Sequence, residues 1–440
     1  MSFIATCKPL PIEIADNDTK IPRNTDIIAI FIIRDETLTL LSLDLNFLYM
    51  KKGKFNPLVL LKNTLLFSSI ILVHFNIYSQ GIIHGSERTS EYLDKLHNKN
   101  IAVVANNTSV IRYKNTSIHL IDSLLNRDVE IKKIFSPEHG LFGDKDDGEK
   151  IENGFYKKIE VISLYGKKRR ISDDDLIGID IIIFDIQDVG VRFYTYLSTL
   201  HYTMEAASRT NKKILIFDRP NPNSFYIDGP VLELENSSFI GLHPVPIVYG
   251  MTIGEYGKMI NGEGWLEKNI KADLEVIKLE NYSHNLKYEP PIRPSPNLPN
   301  IQSIYLYPSL AFLEKTDISV GRGTKIQFQI YGHPDFKSNF SFTPSPNFGS
   351  KYPKLNGILS YGEDLRNYET KNMIELKWLI KSFSQIRDKN IFFRNDFDKL
   401  SGTSDLKRQI IDGVSESLIR ESWKDALENF KKIRKKYLLY

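Results

Sequence analysis

Four short, mainly apolar runs separated by helix-like stretches constrain this chain more than any other feature: Ile101-Ala102-Val103-Val104-Ala105, Ile131 to Phe135, Ile181-Ile182-Ile183-Phe184 and Ile214-Leu215-Ile216-Phe217. A strand with one face in water alternates apolar and polar residues, whereas a continuous apolar run fits a sheet covered on both faces. Helical stretches are expected at Glu87 to Leu96, His119 to Leu125 and Tyr196 to Arg209. The alternation predicts an α/β fold, a Rossmann-like, mostly parallel sheet with helices on both sides.

Each run ends in a polar cluster: Asn106-Asn107-Thr108, Ser136-Pro137-Glu138-His139-Gly140, Asp185-Ile186-Gln187-Asp188 and Asp218-Arg219-Pro220-Asn221-Pro222. In open parallel sheets the ligand crevice lies outside the strands' carboxyl ends, so these clusters are predicted to converge on one edge. Polar turns also follow strands for purely local reasons, but carboxylates and arginines at these turns favour a site.

After about residue 235 the texture changes to loops rich in Pro and Gly, such as His243-Pro244-Val245-Pro246 and Pro290 to Asn297, with strand candidates at Leu274 to Leu279 and Lys325 to Tyr331. A smaller α+β domain is predicted over 238–440, after a Rossmann-like domain over 80–237, with the strand-end clusters facing it. Two closing helices are expected from Leu406 onward, where apolar residues recur at near-helical spacing. No fixed-period repeat is present.

The beginning of the chain reads differently. Met50-Lys51-Lys52-Gly53-Lys54 is a basic segment followed by an apolar stretch densest from Leu65 to Val73 and then Tyr78-Ser79-Gln80, the pattern of a secretory signal over 50–79 with cleavage near Ser79. Lys62 and Asn63 interrupt the apolar stretch, which falls short of the ~20 residues a spanning helix requires, so stable membrane insertion is not expected. Residues 1–49 are read as an over-called start, with translation beginning at Met50, and the mature protein as exported to the periplasm or the extracellular space.

Composition removes several function classes. Fifty-eight Lys and Arg against 54 Asp and Glu give +4, too little and too evenly spread for a protein built around nucleic acid. The one cysteine, Cys7, precedes the expected cleavage point and rules out a disulfide framework. There is no G-x-G-x-x-G, P-loop, G-x-S-x-G or H-E-x-x-H pattern, so no metal or organic cofactor is expected. The run Asp144-Lys145-Asp146-Asp147-Gly148 resembles a calcium loop but has its Gly one position early, and it reads as a solvated acidic loop.

Glu138 is the strongest candidate for chemistry, on a tight loop directly after a buried strand where a carboxyl can be held rigidly and partly desolvated as a general acid. Asp185 and Asp188 flank Gln187, with Arg192, Tyr194 and Tyr196 following, a mixture of carboxylates, amide and aromatic faces that sugar sites use. Asn106, His139, Asp218, Arg219 and Asn221 complete the strand-end set. Further on, Glu314 and Arg322 share one loop region with Gly321 and Gly323. An arginine suits a substrate carboxylate because its planar fork binds both oxygens, a role open to Arg192, Arg219 and Arg322 alike.

Six motifs in order carry a resemblance: Ser136 to Gly140, Phe184 to Tyr196, Asp218 to Pro222, Tyr249-Gly250-Met251-Thr252-Ile253-Gly254-Glu255, Pro294-Ser295-Pro296-Asn297 and Gly321-Arg322-Gly323-Thr324. Together they resemble the bacterial exo-β-N-acetylmuramidases of the NamZ type, glycoside hydrolase family 171, over roughly Glu91 to Tyr440. The resemblance implies a two-subdomain glycosidase, with the active site in the cleft between the subdomains, that releases N-acetylmuramic acid from non-reducing ends of peptidoglycan fragments. It also implies Glu138 as catalytic acid or acid/base; a second carboxylate, for which Asp185 and Asp188 are the candidates among these residues, or the substrate's own acetamido group is expected to assist at the anomeric carbon. One position departs from the family pattern: Val320 stands where a glutamate is expected in the Ser-Glu-Gly-Arg-Gly-Thr run, while Glu314 is kept. A reading from another class, a non-catalytic exported glycan-binding protein using the same cleft, stands beside it.

Overall fold

In a computed structural model, the described residues are 30–34, 37–41, 81–113, 116–143, 153–166 and 168–440. The signal-like segment at 50–79 and the acidic run at 144–148 lie outside them. Within 1–79, Ile30–Arg34 and Thr37–Leu41 pair as an antiparallel hairpin, Ile30 opposite Leu41. Residues 80–440 form a separate compact unit.

Seven strands form the central sheet: β1 (Asn100–Ala105), β2 (Glu130–Ser136), β3 (Gly154–Tyr156), β4 (Ile159–Ser163), β5 (Ile181–Asp185), β6 (Lys213–Phe217) and β7 (Asp273–Ile277), in spatial order β7-β6-β5-β1-β2-β4-β3. All neighbours are parallel except the β3 edge, which runs against β4. Side-chain alternation explains why the runs are apolar throughout. Ala102, Val104, Ile182, Phe184, Ile214 and Ile216 enter one core, while Ile101, Val103, Ile181, Ile183, Leu215 and Phe217 enter another on the opposite face.

Helix α1 (Leu120–Leu125), capped by His119, covers the second face. Helices α2 (Tyr196–Arg209) and α3 (Ile253–Gly262) cover the first, and α3 opens with a reciprocal capping box between Thr252 and Glu255. The C-terminal part packs on this same face. Ile318, Tyr331, Trp378, Phe397 and Ile419 belong to one continuous core with Ile182 and Val191. It contains α4 (Ile301–Leu310), a three-stranded antiparallel sheet of β8 (Ile330–His333), β9 (Phe340–Phe342) and β10 (Ser360–Asp364) with β10 central, then α5 (Lys377–Gln385) and α6 (Lys424–Lys435).

Several elements differ from the sequence expectation. Glu87 to Leu96 breaks into two 3₁₀ turns and a short helix, Leu93–Leu96. The strand expected at 274–279 in the second domain is β7, which extends the first sheet beside β6. Of Lys325 to Tyr331 only the end is strand, and the tail forms three helices, Asp405–Ile411, Glu416–Glu421 and α6.

Arg192 ties the two parts together. Its guanidinium is enclosed, with Nη1 donating to the Pro230 and Val245 carbonyls at 2.9 and 2.8 Å and Nη2 to those of Leu400 and Ser401 at 3.2 and 2.6 Å. Arg192→Leu leaves those carbonyls without the donor, and thermal or urea unfolding is expected to show a loss of about 3–5 kcal/mol.

Candidate active site

The chain passes from β1 to β2 and β4 on one side of the sheet, then returns to place β5 on the other side of β1. The gap between β1 and β5 is the switch point at which doubly wound folds ordinarily seat a ligand. Here it is filled by the protein. Arg219, 2% exposed at the exit of β6, donates Nε and Nη2 to the two Asp185 oxygens at 2.6 and 2.8 Å, with Asp185 fully enclosed. Burial pushes the Asp185 carboxyl up, and the guanidinium's charge and hydrogen bonds oppose it. Arg219 also meets Val110 O and His84 Nδ1, each at 3.3 Å.

The neighbouring candidates are spent in the same network. Asn106 Nδ2 donates to Tyr196 Oη at 3.0 Å, and Gln187 Nε2 donates to the carbonyls of Asp188 and Pro220 at 2.8 and 2.7 Å. Asp188 accepts from the Gly190 amide at 2.6 Å and from the Tyr249 hydroxyl, while burial pushes its carboxyl up to about 6. Asn221 Nδ2 donates to Met251 O at 2.8 Å, and a Cβ on Gly190, whose φ is 77°, would lie 2.1 Å from Asn221 Oδ1. Asp218 accepts from Thr252 Oγ1 and Tyr440 Oη, both at 2.7 Å, and from the Gly254 amide at 2.8 Å. These residues and Arg192 are all buried, and none lines the cavity described next.

That cavity, about 510 Å³, lies towards the exits of β2 and β4, where the C-terminal part covers the sheet edge. Such a volume is ordinary for a small-ligand site. Glu138, His139, Tyr194, Glu314 and Arg322 line it, together with Thr195, Asn297 and an aromatic group that includes Tyr307 and Phe328. Glu138 sits on a tight turn closed by the Gly140 amide donating to Pro137 O at 3.0 Å. The turn puts His139 at φ 70°, a left-handed conformation that a non-glycine residue adopts at some cost and that surrounding contacts must hold. His139 Nε2 and Ser295 Oγ, 3.2 Å apart, supply one such contact.

Thr195 occupies the N-cap of α2, where a threonine hydroxyl ordinarily bonds the helix's first amides. Here its Oγ1 donates to Glu138 Oε2 at 2.7 Å. The carboxylate therefore sits at the positive end of a 14-residue helix. Tyr194 Oη donates to Pro294 O at 2.7 Å, and its ring meets Tyr196 edge to face at 4.9 Å. From the C-terminal part, Arg322 Nε donates to Glu314 Oε2 at 2.7 Å with its guanidinium 5.3 Å from the Phe328 ring centre, and Lys315 pairs with Asp396.

Tyr165, Arg169, Phe239, Tyr307 and Asp396 also line the cavity and were not read from the sequence. Tyr165 and Arg169 follow β4, so the strand-exit rule applies to them, but Glu160 interrupts the apolar run that would have marked this strand. Among the described residues no group of His, Cys, Asp and Glu forms a metal-binding cluster, and no helix is long and apolar enough to cross a membrane.

Burial and the charge of Glu255 push the Asp218 carboxyl up to about 7. An acid whose folded value is raised keeps its proton in the folded state through the range where the unfolded chain releases it. Its contribution to stability is thus present at low pH and lost as pH rises from about 4 to about 7, by ~4 kcal/mol at most. Unfolding at pH values across this window is expected to show that loss in the wild type and a smaller one in Asp218→Asn, confined to the lower part of the window where Asp188 still titrates.

Comparison with known proteins follows the same two parts. The family model for the N-terminal region of the exo-beta-N-acetylmuramidase NamZ matches residues 101–302, and that for its C-terminal region matches 305–440. The chain is 34% identical over 374 residues to the peptidoglycan beta-N-acetylmuramidase NamZ of Bacillus subtilis (strain 168), covering 80% of this chain and 89% of that protein. Two crystal structures of DUF1343 family proteins from Bacteroides fragilis NCTC 9343 are similar. One has 41% identity and a TM-score of 0.75, covering 82% of this chain and 99% of that one. The other, at 24% identity and a TM-score of 0.69 with the same coverage, shows the fold alone.

Proposed function

Because the chain belongs to the exo-β-N-acetylmuramidase NamZ family, and is thus a glycoside hydrolase with peptidoglycan muramidase activity, we propose that it is an exported enzyme hydrolysing the β-1,4 bond at non-reducing ends of peptidoglycan fragments to release N-acetylmuramic acid. The observation that carries the site assignment is the Glu138 turn: a partly exposed carboxyl group in the cavity, oriented by Thr195 and held on a strained turn. In this reading Glu138 gives its proton to the glycosidic oxygen as the bond to the anomeric carbon breaks, and the oxocarbenium-like charge is met on the sugar's other side. Of the carboxylates of the C-terminal part that line the same cavity, Asp396 is paired with Lys315 and Glu314 with Arg322, and Glu314 or the substrate's acetamido group supplies that assistance. Asp185 and Asp188 are committed to Arg219 and Tyr249, which supports a role in holding the strand ends.

Of the arginines considered for the lactyl carboxylate, Arg322 lines the cavity, and this supports it as the residue that distinguishes muramic acid from glucosamine. A site built around a guanidinium is penalised by a sugar that leaves it unpaired. Export rests on the signal-like pattern from Met50 to Ser79. The native protein is expected to begin near residue 80 by mass spectrometry, and peptides from Ile12 to Arg34 would overturn the assigned start.

The enzyme is expected to release free sugar from a disaccharide with N-acetylmuramic acid at its non-reducing end and not from the reversed disaccharide. Glu138→Gln is expected to lower the rate about 10²–10⁴-fold with folding unchanged. Arg322→Ala is expected to narrow the preference for muramic over glucosaminyl substrates by roughly 10–100-fold, read as the ratio of kcat/KM values. Release from both disaccharides alike, or full activity in Glu138→Gln, would overturn the assignment.

A further inference from the structure

Lys354 does not line the cavity, yet its Nζ shares its N–H groups among the main-chain carbonyls of Leu313, Glu314, Thr316 and Ile318, at 2.9, 2.9, 2.7 and 3.2 Å. The first two lie in the 3₁₀ turn Ala311–Lys315 that continues α4, and the others in the residues just after it. The last carbonyls of a helical stretch have no partners within it and carry the negative end of its dipole, so an ammonium there answers both needs. Glu314, one of the residues gripped, lines the cavity and holds Arg322 through its carboxylate. The main chain from which Glu314 projects is thus fixed by a cation behind it.

We propose that Lys354 is a positioning residue: its ammonium clamps residues 313–318 so that Glu314, and Arg322 through it, keep the orientation the substrate meets, and loss of that charge lowers turnover. The activity readout rests on the muramidase reading of the cavity. The charged groups facing Lys354 are Glu314 and Asp317, which favour the ammonium, and Arg394 and Arg322, which oppose it; burial outweighs them and brings the ammonium down to about 8. Because this lies below the ~10.4 of an unfolded lysine, the folded protein gives up this proton first. As pH rises from about 8 to about 10, Lys354's own contribution to global stability therefore rises, while its charge-assisted bonds to the loop weaken. Turnover and that contribution move in opposite directions, which a lysine serving only global stability would not produce.

The test measures release of N-acetylmuramic acid from the disaccharide between about pH 6 and about pH 10 for the full-length wild type, Lys354→Arg and Lys354→Met. Amide hydrogen exchange of peptides spanning 313–318, corrected for intrinsic exchange, is followed on the same samples. In the wild type, kcat/KM is expected to fall above a midpoint near 8, about fivefold by one unit beyond it and towards about tenfold at higher pH, with a parallel fall in protection and no unfolding. Lys354→Arg, charged throughout, is expected to move both midpoints up by at least about one unit. Lys354→Met is expected to show about tenfold lower kcat/KM at neutral pH and no alkaline limb near 8.

A wild-type profile level to about pH 10 would overturn the lowered ammonium, while a limb unmoved in Lys354→Arg or a folded Lys354→Met with wild-type kcat/KM would overturn the clamp. If either variant fails to fold, the wild-type limb and its exchange profile decide the matter. No release by the wild type at any pH would count against the muramidase reading instead, and the exchange profile alone would then judge the clamp, a pH-independent protection overturning it.

Discussion

A guanidinium enclosed at the carboxyl ends of parallel strands has to be met by acceptors held in place, and Asp185 meets Arg219 with both oxygens. Much of the architecture follows from that pair. It occupies the gap between β1 and β5 where a doubly wound sheet ordinarily admits a ligand, and it draws Val110 and His84 around it. With the switch point closed, the open space lies to one side, over the exits of β2 and β4, where the C-terminal part comes down on the sheet edge. Breaking the pair from one side would leave a buried charge uncompensated, so the plug and the strand ends stand or fall together.

The plug also accounts for the division of labour among the carboxylates. Asp185, Asp188 and Asp218 are surrounded by donors fixed in the fold, and burial pushes each of them up. Glu138 is built differently. Its turn follows β2 directly, His139 is held left-handed, and the hydroxyl that would cap α2 is turned to the carboxylate. A helix that gives up its side-chain cap places a donor and a positive dipole end at one cavity residue, a loss of local stability set against a preorganised site.

The sheet was legible because β1, β5 and β6 are buried on both faces, and such burial writes itself as apolar runs with no polar alternation. The same rule missed β4, where Glu160 interrupts the run, and with it Tyr165 and Arg169. It also left β7 to the wrong part of the chain. Asp273–Ile277 is the outer parallel strand, only partly buried along most of its length, and its membership is fixed by pairing with β6 across residues distant in sequence. For the site, sequence indicated the edge of the sheet but not which side chains turn inward. Asp185 and Glu138 both follow apolar strands, and nothing local distinguishes a carboxylate that will meet Arg219 from one that will face open space. Arg192 and Arg322 are likewise equivalent as residue types; one is consumed by main-chain carbonyls and the other faces the cavity.

In the proposed reading the sugar is cleaved in the cavity above the plugged switch point, between the Glu138 turn and the Glu314–Arg322 wall. The most direct measurement is a crystal structure of Glu138→Gln with the muramyl-headed disaccharide bound. The glycosidic oxygen is expected within about 3 Å of the substituted side chain and the lactyl carboxylate on Arg322. A disaccharide seated at the β1–β5 gap with the Asp185–Arg219 pair opened, or bound in the cavity with its reducing end innermost, would contradict it.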